Sequence, residues 1–94
     1  MASVNIRFVG PWRLYLSVDT IALQADTVED ALGQVEDRYG PRYHARLLSR
    51  GVKIKRSITD DSNILLNRIN IRQLSDHRLK EGDHMDLIPR FVGG

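Results

Sequence analysis

The sequence predicts an α+β fold in which a mixed sheet is crossed on one face by one main helix. Three observations carry this. Val4 to Val9 alternates apolar and polar residues, the period of a half-buried strand. Val28, Ala31, Leu32, Val35 and Tyr39 follow helical spacing and make one apolar stripe. Several short alternating segments come after that stripe, the last of them running from His84 to Phe91. A helix laid on one sheet face buries both apolar surfaces in a single pair of layers.

Each element has its own signal. In the first strand, Val4, Ile6 and Phe8 point one way. Gly10-Pro11-Trp12-Arg13 is a turn signal, with Trp12 as a partly buried anchor. Leu14 to Ala25 reads as a second strand with a bulge or bend near Ser17 to Thr20, because its apolar face switches partway. Thr27 can cap the helix, with Asp30 at the third helical position, and Asp26 with Glu29 is the equivalent pair one residue earlier. Gly40-Pro41 is read as its end, and Tyr43 to Ser49 as a short second helix with Leu47 and Leu48 inward. Gly51 to Ile58 alternates and reads as a strand. Thr59 to Ser62 is a polar turn, Asn63 to Asn67 a short strand, and Asn67 to Asn70 another turn. Gln73 to Arg78 is loop, and Leu79 plugs the core before the Gly82 turn. This order is the β-grasp arrangement, in which the first and last strands lie side by side in the sheet centre.

Composition bounds the function. Ninety-four residues make a single domain, 1–94, with a flexible tail from about residue 91. Such a chain buries roughly 60–68% of its unfolded surface, enough for one core and little more. The hydrophobic share of 41% and charged share of 28% are those of a globular protein. The net charge of +2 is too small to argue for nucleic acid. No cysteine is present, which excludes disulfides, a thiol nucleophile and a cysteine metal site. No apolar run approaches the roughly 20 residues of a membrane span, and Met1-Ala2-Ser3 lacks a signal-peptide pattern. The expectation is a cytoplasmic protein with neither a membrane nor a nucleic-acid partner.

The most informative segment is the last. His84 to Ile88 reads as a strand that leads into Phe91-Val92-Gly93-Gly94. A strand followed by a side-chain-poor tail delivers the Gly94 carboxylate outward. Glycine lacks Cβ, so its backbone approaches another protein's cleft closely. Four residues at 3.3–3.6 Å each reach at most about 14 Å.

Ile64-Leu65-Leu66-Asn67, Asn70-Ile71, Leu79-Lys80-Glu81-Gly82-Asp83, Leu87-Ile88-Pro89 and Val92-Gly93-Gly94 together resemble the ubiquitin-like sulfur carriers. These are the MoaD-type small subunits of molybdopterin synthase and the ThiS-type carriers of thiamine biosynthesis. The chain departs from the family at Asn67-Arg68, where Asn-Gly is common, and at Val92, where MoaD-like tails commonly have Ala. Phe91-Val92-Gly93-Gly94 is closer to some ThiS tails, whereas the length and Pro89 are closer to MoaD.

The resemblance implies a carrier rather than an enzyme. Gly94 would be adenylated and then converted to a thiocarboxylate, with Gly93 its required neighbour. The chain would bind no cofactor itself, because Mg-ATP is used by a separate ubiquitin-activating-like adenylyltransferase. A persulfide donor supplies the sulfur, and a larger molybdopterin-synthase-like subunit or another acceptor enzyme takes it. Phe91, Val92 and Ile88, with Phe8, are candidates for a docking patch at the tail's base. For Phe8 and Ile88, plain core packing is the competing reading, and the stronger one. Arg90 either steers an acidic groove or is simply solvated. Two other functions stay open: a modifier joined to lysines through Gly94, and an interaction module with an idle tail.

The remaining signals have plain readings. His44, His77 and His84 share no metal-ligand spacing and read as surface residues, and no metal site is expected. Asp60-Asp61 and Asp83 with Asp86 read as loop solvation and turn formation rather than acid–base pairs. Arg50, Lys53, Lys55 and Arg56 read as the charge guard of an edge strand.

Overall fold

The structure is a computed structural model that describes residues 1–90. Strand β1 (Ala2–Phe8) pairs antiparallel with β2 (Thr20–Ala25), with Val4 opposite Leu23. It pairs parallel with β5 (His84–Pro89), with Phe8 beside Leu87. Strand β3 (Ser62–Leu66) runs antiparallel on the other side of β5, with Ile64 opposite Leu87. The two-residue β4 (Ile69–Asn70) closes that edge, and the sheet order is β2-β1-β5-β3-β4. The first and last strands therefore occupy the centre, as expected of a β-grasp fold.

Between β1 and β2 the chain forms a helix, α1 (Pro11–Leu16), where the sequence reading placed a turn and the start of a strand. Gly10, at φ 57, turns the chain, and Pro11 opens the helix with a φ already suited to it. Trp12 and Leu16, four residues apart, are both fully buried, whereas Leu14 is 74% exposed. The alternation of Leu14 and Leu16 was thus one turn of a helix and not a strand. Ser17, in the left-handed region at φ 55, ends it.

Helix α2 (Val28–Ser49) begins as expected, with the Thr27 hydroxyl accepting from the Asp30 N–H at 3.1 Å. It does not stop at Gly40-Pro41. Tyr39, Tyr43 and Leu47, spaced by four, continue the apolar stripe past the proline, and their packing outweighs the lost hydrogen bond. Leu47 is buried, while Leu48 is 51% exposed, correcting its inward assignment. Gly51, at φ 82, turns the chain, and Arg50, Gly51 and Val52 return their N–H groups to the carbonyls of Leu47 and Leu48.

The strand expected from Gly51 to Ile58 is absent. Val52 and Ile54 are exposed and only Ile58 is buried. The Glu36 carboxylate explains this, because it accepts from the N–H groups of Ile58 and Thr59 at 3.0 Å each. The end of the segment is tied to α2, and the segment adds no edge to the sheet. The core lies between α2 and the sheet, from Val4, Ile6, Phe8, Met85 and Leu87 to Ala31 and Val35. Trp12 and Tyr43 close one end, their rings edge-on with centroids 4.8 Å apart. Among the described residues no helix is long and apolar enough to cross a membrane.

Candidate functional site

The site is the root of the tail, where β5 leaves the sheet. Strand β5 enters through a turn in which Gly82 takes φ 85 and the Asp83 carboxylate accepts from the Lys80 N–H at 2.7 Å. Leu79 is buried just before it, as its plug role requires. Along β5, Met85 and Leu87 face α2, so Asp86 and Ile88 face the other side of the sheet. Successive residues of a central strand bond alternately to its two neighbours. Leu87 accepts from the Val9 N–H on the β1 side, and Arg90 donates to Asp61 O beside β3. The nitrogen of Pro89 therefore points to the β1 side. There β1 has already left for α1, and no N–H is needed.

The exit is held from below. The Arg90 N–H reaches the Asp61 carbonyl at 2.8 Å. The buried Asp61 carboxylate accepts from the Tyr43 hydroxyl at 2.5 Å and from Arg56, whose Nε lies 2.8 Å from Oδ2 and whose Nη2 bonds Oδ1. The Arg56 guanidinium holds the Asp61 carboxyl below its usual value against the opposing effect of burial, and Tyr43 adds to that. Burial, then the bond to Asp61, pushes the Tyr43 phenol up. Beside them, Ser62 Oγ accepts from the Trp12 indole N–H at 2.9 Å and donates to Ile58 O at 2.6 Å. Ser62 is paired with Pro89 in the sheet. Four separate segments thus fix the last strand's end.

The expected site residues distribute unevenly. Phe8 is fully buried, its ring edge-on to Tyr39 at 5.4 Å, so it serves the core and offers no docking surface. Ile88 is half-buried on the open face of the sheet, and Arg90 is exposed. Arg90 lines a small cleft of about 200 Å³ with Arg72 and Asn63. Phe91, Val92, Gly93 and Gly94 lie outside the described residues.

Two clusters were not legible in the sequence. Asp61 is a buried ion-pair partner and not a solvated loop residue, and Arg56 belongs to it and not to an edge strand. On the open sheet face, the buried Asp86 carboxylate accepts from Arg7 Nε at 2.9 Å and lies 3.0 Å from His84 Nε2. The parallel register puts Arg7 beside Asp86, a pairing no local pattern contains. His77 is likewise engaged, 2.6 Å from Glu29 and 3.0 Å from Ile71 O. Among the described residues no group of three or more histidine and acidic side chains is arranged to hold a metal.

No protein-family model matches the chain, and no curated protein does. Solved structures do. The small archaeal modifier protein 1 of Methanosarcina acetivorans superposes with a TM-score of 0.71 at 26% identity, over 100% of this chain and 98% of that one. A chain of the complex of subunits 1 and 2 of molybdopterin-converting factor from Helicobacter pylori gives 0.61 at 22%, over 98% and 99%. A chain of the Amycolatopsis orientalis BexX/CysO complex gives 0.63 at 21%, over 97% and 99%. The architecture shared with them is the ubiquitin-like β-grasp, and the resemblance read from the sequence holds at the level of the fold.

Proposed function

We propose that this chain is a ubiquitin-like carrier whose Gly94 carboxylate is activated by a partner and loaded with sulfur for molybdopterin synthesis. The observation that carries the reading is the root of β5. The strand that leads to Gly94 is the central one, and its end at Arg90 is clamped by Asp61. Likeness over nearly the full chain to a protein found in a complex of molybdopterin-converting factor subunits supports the same reading.

The chemistry needs a partner at every step. A carboxylate is a poor acyl donor, so Mg-ATP on an activating enzyme converts it to the acyl-adenylate and releases pyrophosphate. A persulfide then displaces AMP and forms an acyl disulfide. A thiol cleaves the S–S bond, becoming disulfide-linked itself, and leaves the thiocarboxylate. This chain supplies reach and docking, and its lack of cysteine means the sulfur comes from elsewhere. Thiazole synthesis is the alternative destination for the same thiocarboxylate, in line with the ThiS-like tail.

A second reading has its own support. The likeness to a small archaeal modifier protein favours an isopeptide bond from Gly94 to a lysine, since both routes start from one adenylate. The test is the intact mass of the chain after incubation with ATP, an activating enzyme and a persulfide source. Replacement of one oxygen by sulfur at Gly94 supports the carrier reading. Conjugates to lysine that vanish when Gly94 is deleted support the modifier. Neither product, with an enzyme active on its own carrier, overturns both.

A further inference from the structure

The exposed side of α2 carries a feature that the tail chemistry does not use. Arg38, Arg42, Arg46 and Arg50 recur at every fourth position and are all exposed. Residues four apart on a helix lie on one face, one above the other. The four make one ridge, the arginine ledge, about 18 Å long, with steps of about 6 Å and a drift of about 40° round the axis at each. Helix α1 lies along it. Arg42 Nη1 donates to Leu16 O at 2.7 Å and Arg46 Nη2 to Leu14 O at 3.3 Å. The Arg50 guanidinium lies over the Tyr15 ring at 5.0 Å, and that of Arg42 over Tyr39 at 5.5 Å.

These contacts cap the end of α1, and they spend little. Each guanidinium has five donors, and those two bonds use one apiece. Among the described residues, none of the four arginines has a carboxylate at ion-pair distance. The nearby acids of α2, Glu36 and Asp37, line a different cleft, facing Lys55 and Arg56. Between Arg42 and Arg46, an open cleft of about 360 Å³ is lined by Tyr15, Ser17, Ala45 and Ser49. Leu14, whose carbonyl accepts from Arg46, is exposed.

We propose that this ledge docks an extended acidic segment of a protein partner. The match is one of charge and of pitch. An extended strand repeats every second side chain at about 6.6 Å, close to the 6 Å step of the ledge. Acidic residues at alternate positions would each meet a guanidinium, which pairs with carboxylate in fork geometry. Leu14 offers an apolar contact to an intervening residue. Single-stranded nucleic acid fits less well, because it needs ring faces to stack on, and the arginines already lie over Tyr15 and Tyr39. Helix α1, which Arg42 and Arg46 contact, also reaches the root of β5, since its Trp12 bonds Ser62, the strand partner of Pro89. The surface does not rest on the chemistry proposed for Gly94.

The experiment is an NMR titration of the full chain with a synthetic peptide carrying Glu at four alternate positions. Shifts are expected at Ser17, Arg42, Ala45, Arg46 and Ser49, and they should shrink with added salt. The double variant Arg38→Glu with Arg50→Glu is expected to bind about tenfold more weakly. It leaves the bonds to Leu14 and Leu16 in place, so unchanged Trp12 signals report an intact fold. Deleting Gly93 and Gly94 should leave peptide binding unaltered while it abolishes loading with sulfur, which separates this surface from the tail. Absent shifts, shifts centred on Lys53 and Lys55, or unchanged binding by the folded double variant would overturn the proposal. So would an oligonucleotide of equal charge that binds the ledge more tightly than the peptide.

Discussion

The backbone N–H of Arg90 donates to the carbonyl of Asp61 at 2.8 Å, and the side chain of Asp61 is itself tied to Arg56 and Tyr43. One residue thus joins the root of the tail to the middle of α2. Replacing Asp61 by Ala strands the buried Tyr43 hydroxyl and removes the partner of Arg56. The cost is expected to be about 1–3 kcal/mol, mostly from Tyr43. Arg56 adds little because it is half exposed. Urea unfolding measures this, and a loss below about 0.5 kcal/mol would show that the cluster holds nothing together.

Acid should reach the same cluster. The folded pKa of Asp61 is depressed, so its stabilisation is present above the ordinary value of 3.8 and disappears as pH falls through the lowered value. The Asp61→Asn variant, which cannot titrate there, should show a flatter decline of stability than the parent chain as pH falls below 3.8. Parallel curves would remove Asp61 from the acid transition.

His77 and Glu29 set a different window. The bond to Glu29 raises His77, and the same bond lowers Glu29. For the raised histidine, the contribution is full below its ordinary value of 6.5 and fades as pH rises through the folded value. For the depressed glutamate it is full above 4.5 and fades as pH falls. The pair therefore binds best between those values. His77 O also accepts from Val28 N–H at 2.9 Å, so exchange of the Val28 amide reports the attachment. Its protection, corrected for the intrinsic pH dependence of exchange, is expected to fall as pH rises from 6 to 8, and to show no such fall in His77→Gln.

The hairpin between β3 and β4 turns on Asn67 at φ 49 and Arg68 at φ 72. Asn tolerates the left-handed region, but arginine is strained there. Relief of that strain outweighs the extra unfolded-chain freedom of glycine, and Arg68→Gly is expected to stabilise by about 0.5–1 kcal/mol. A thermal melt checks the sign, and a lowered midpoint would mean that the Arg68 side chain offsets its backbone.

Pro41 sits inside α2, where it has no N–H to give. Pro41→Ala restores a donor toward the preceding turn. The expected gain is about 1–2 kcal/mol after allowing for a freer unfolded chain. No gain would show that the helix already bends to accommodate the ring.

What the residues announced locally, they delivered. The Thr27 cap, the Gly82 turn, the Leu79 plug and the alternation of β1 and β5 all hold, because each is set by neighbours within a few positions. Where local signals competed, tertiary contacts chose. Gly40-Pro41 is a stop signal, yet Tyr43 and Leu47 had more to bury by continuing α2. Gly51 to Ile58 had a strand's alternation, yet the Glu36 carboxylate took the N–H of Ile58 at its end and that of Thr59 just beyond it. Gly10-Pro11 marks a turn and a helix start equally well, and the pocket that holds Trp12 decided between them.

The sequence by itself determined the fold class and the last strand with the Gly82 turn that opens it, because periodicity and turn chemistry are short-range properties of a chain. Only the tertiary structure decided what surrounds that strand. Asp61 meets Tyr43 across eighteen positions and Asp86 meets Arg7 across seventy-nine. A buried carboxylate is stable only beside a donor, and which donor arrives depends on sheet register and helix packing.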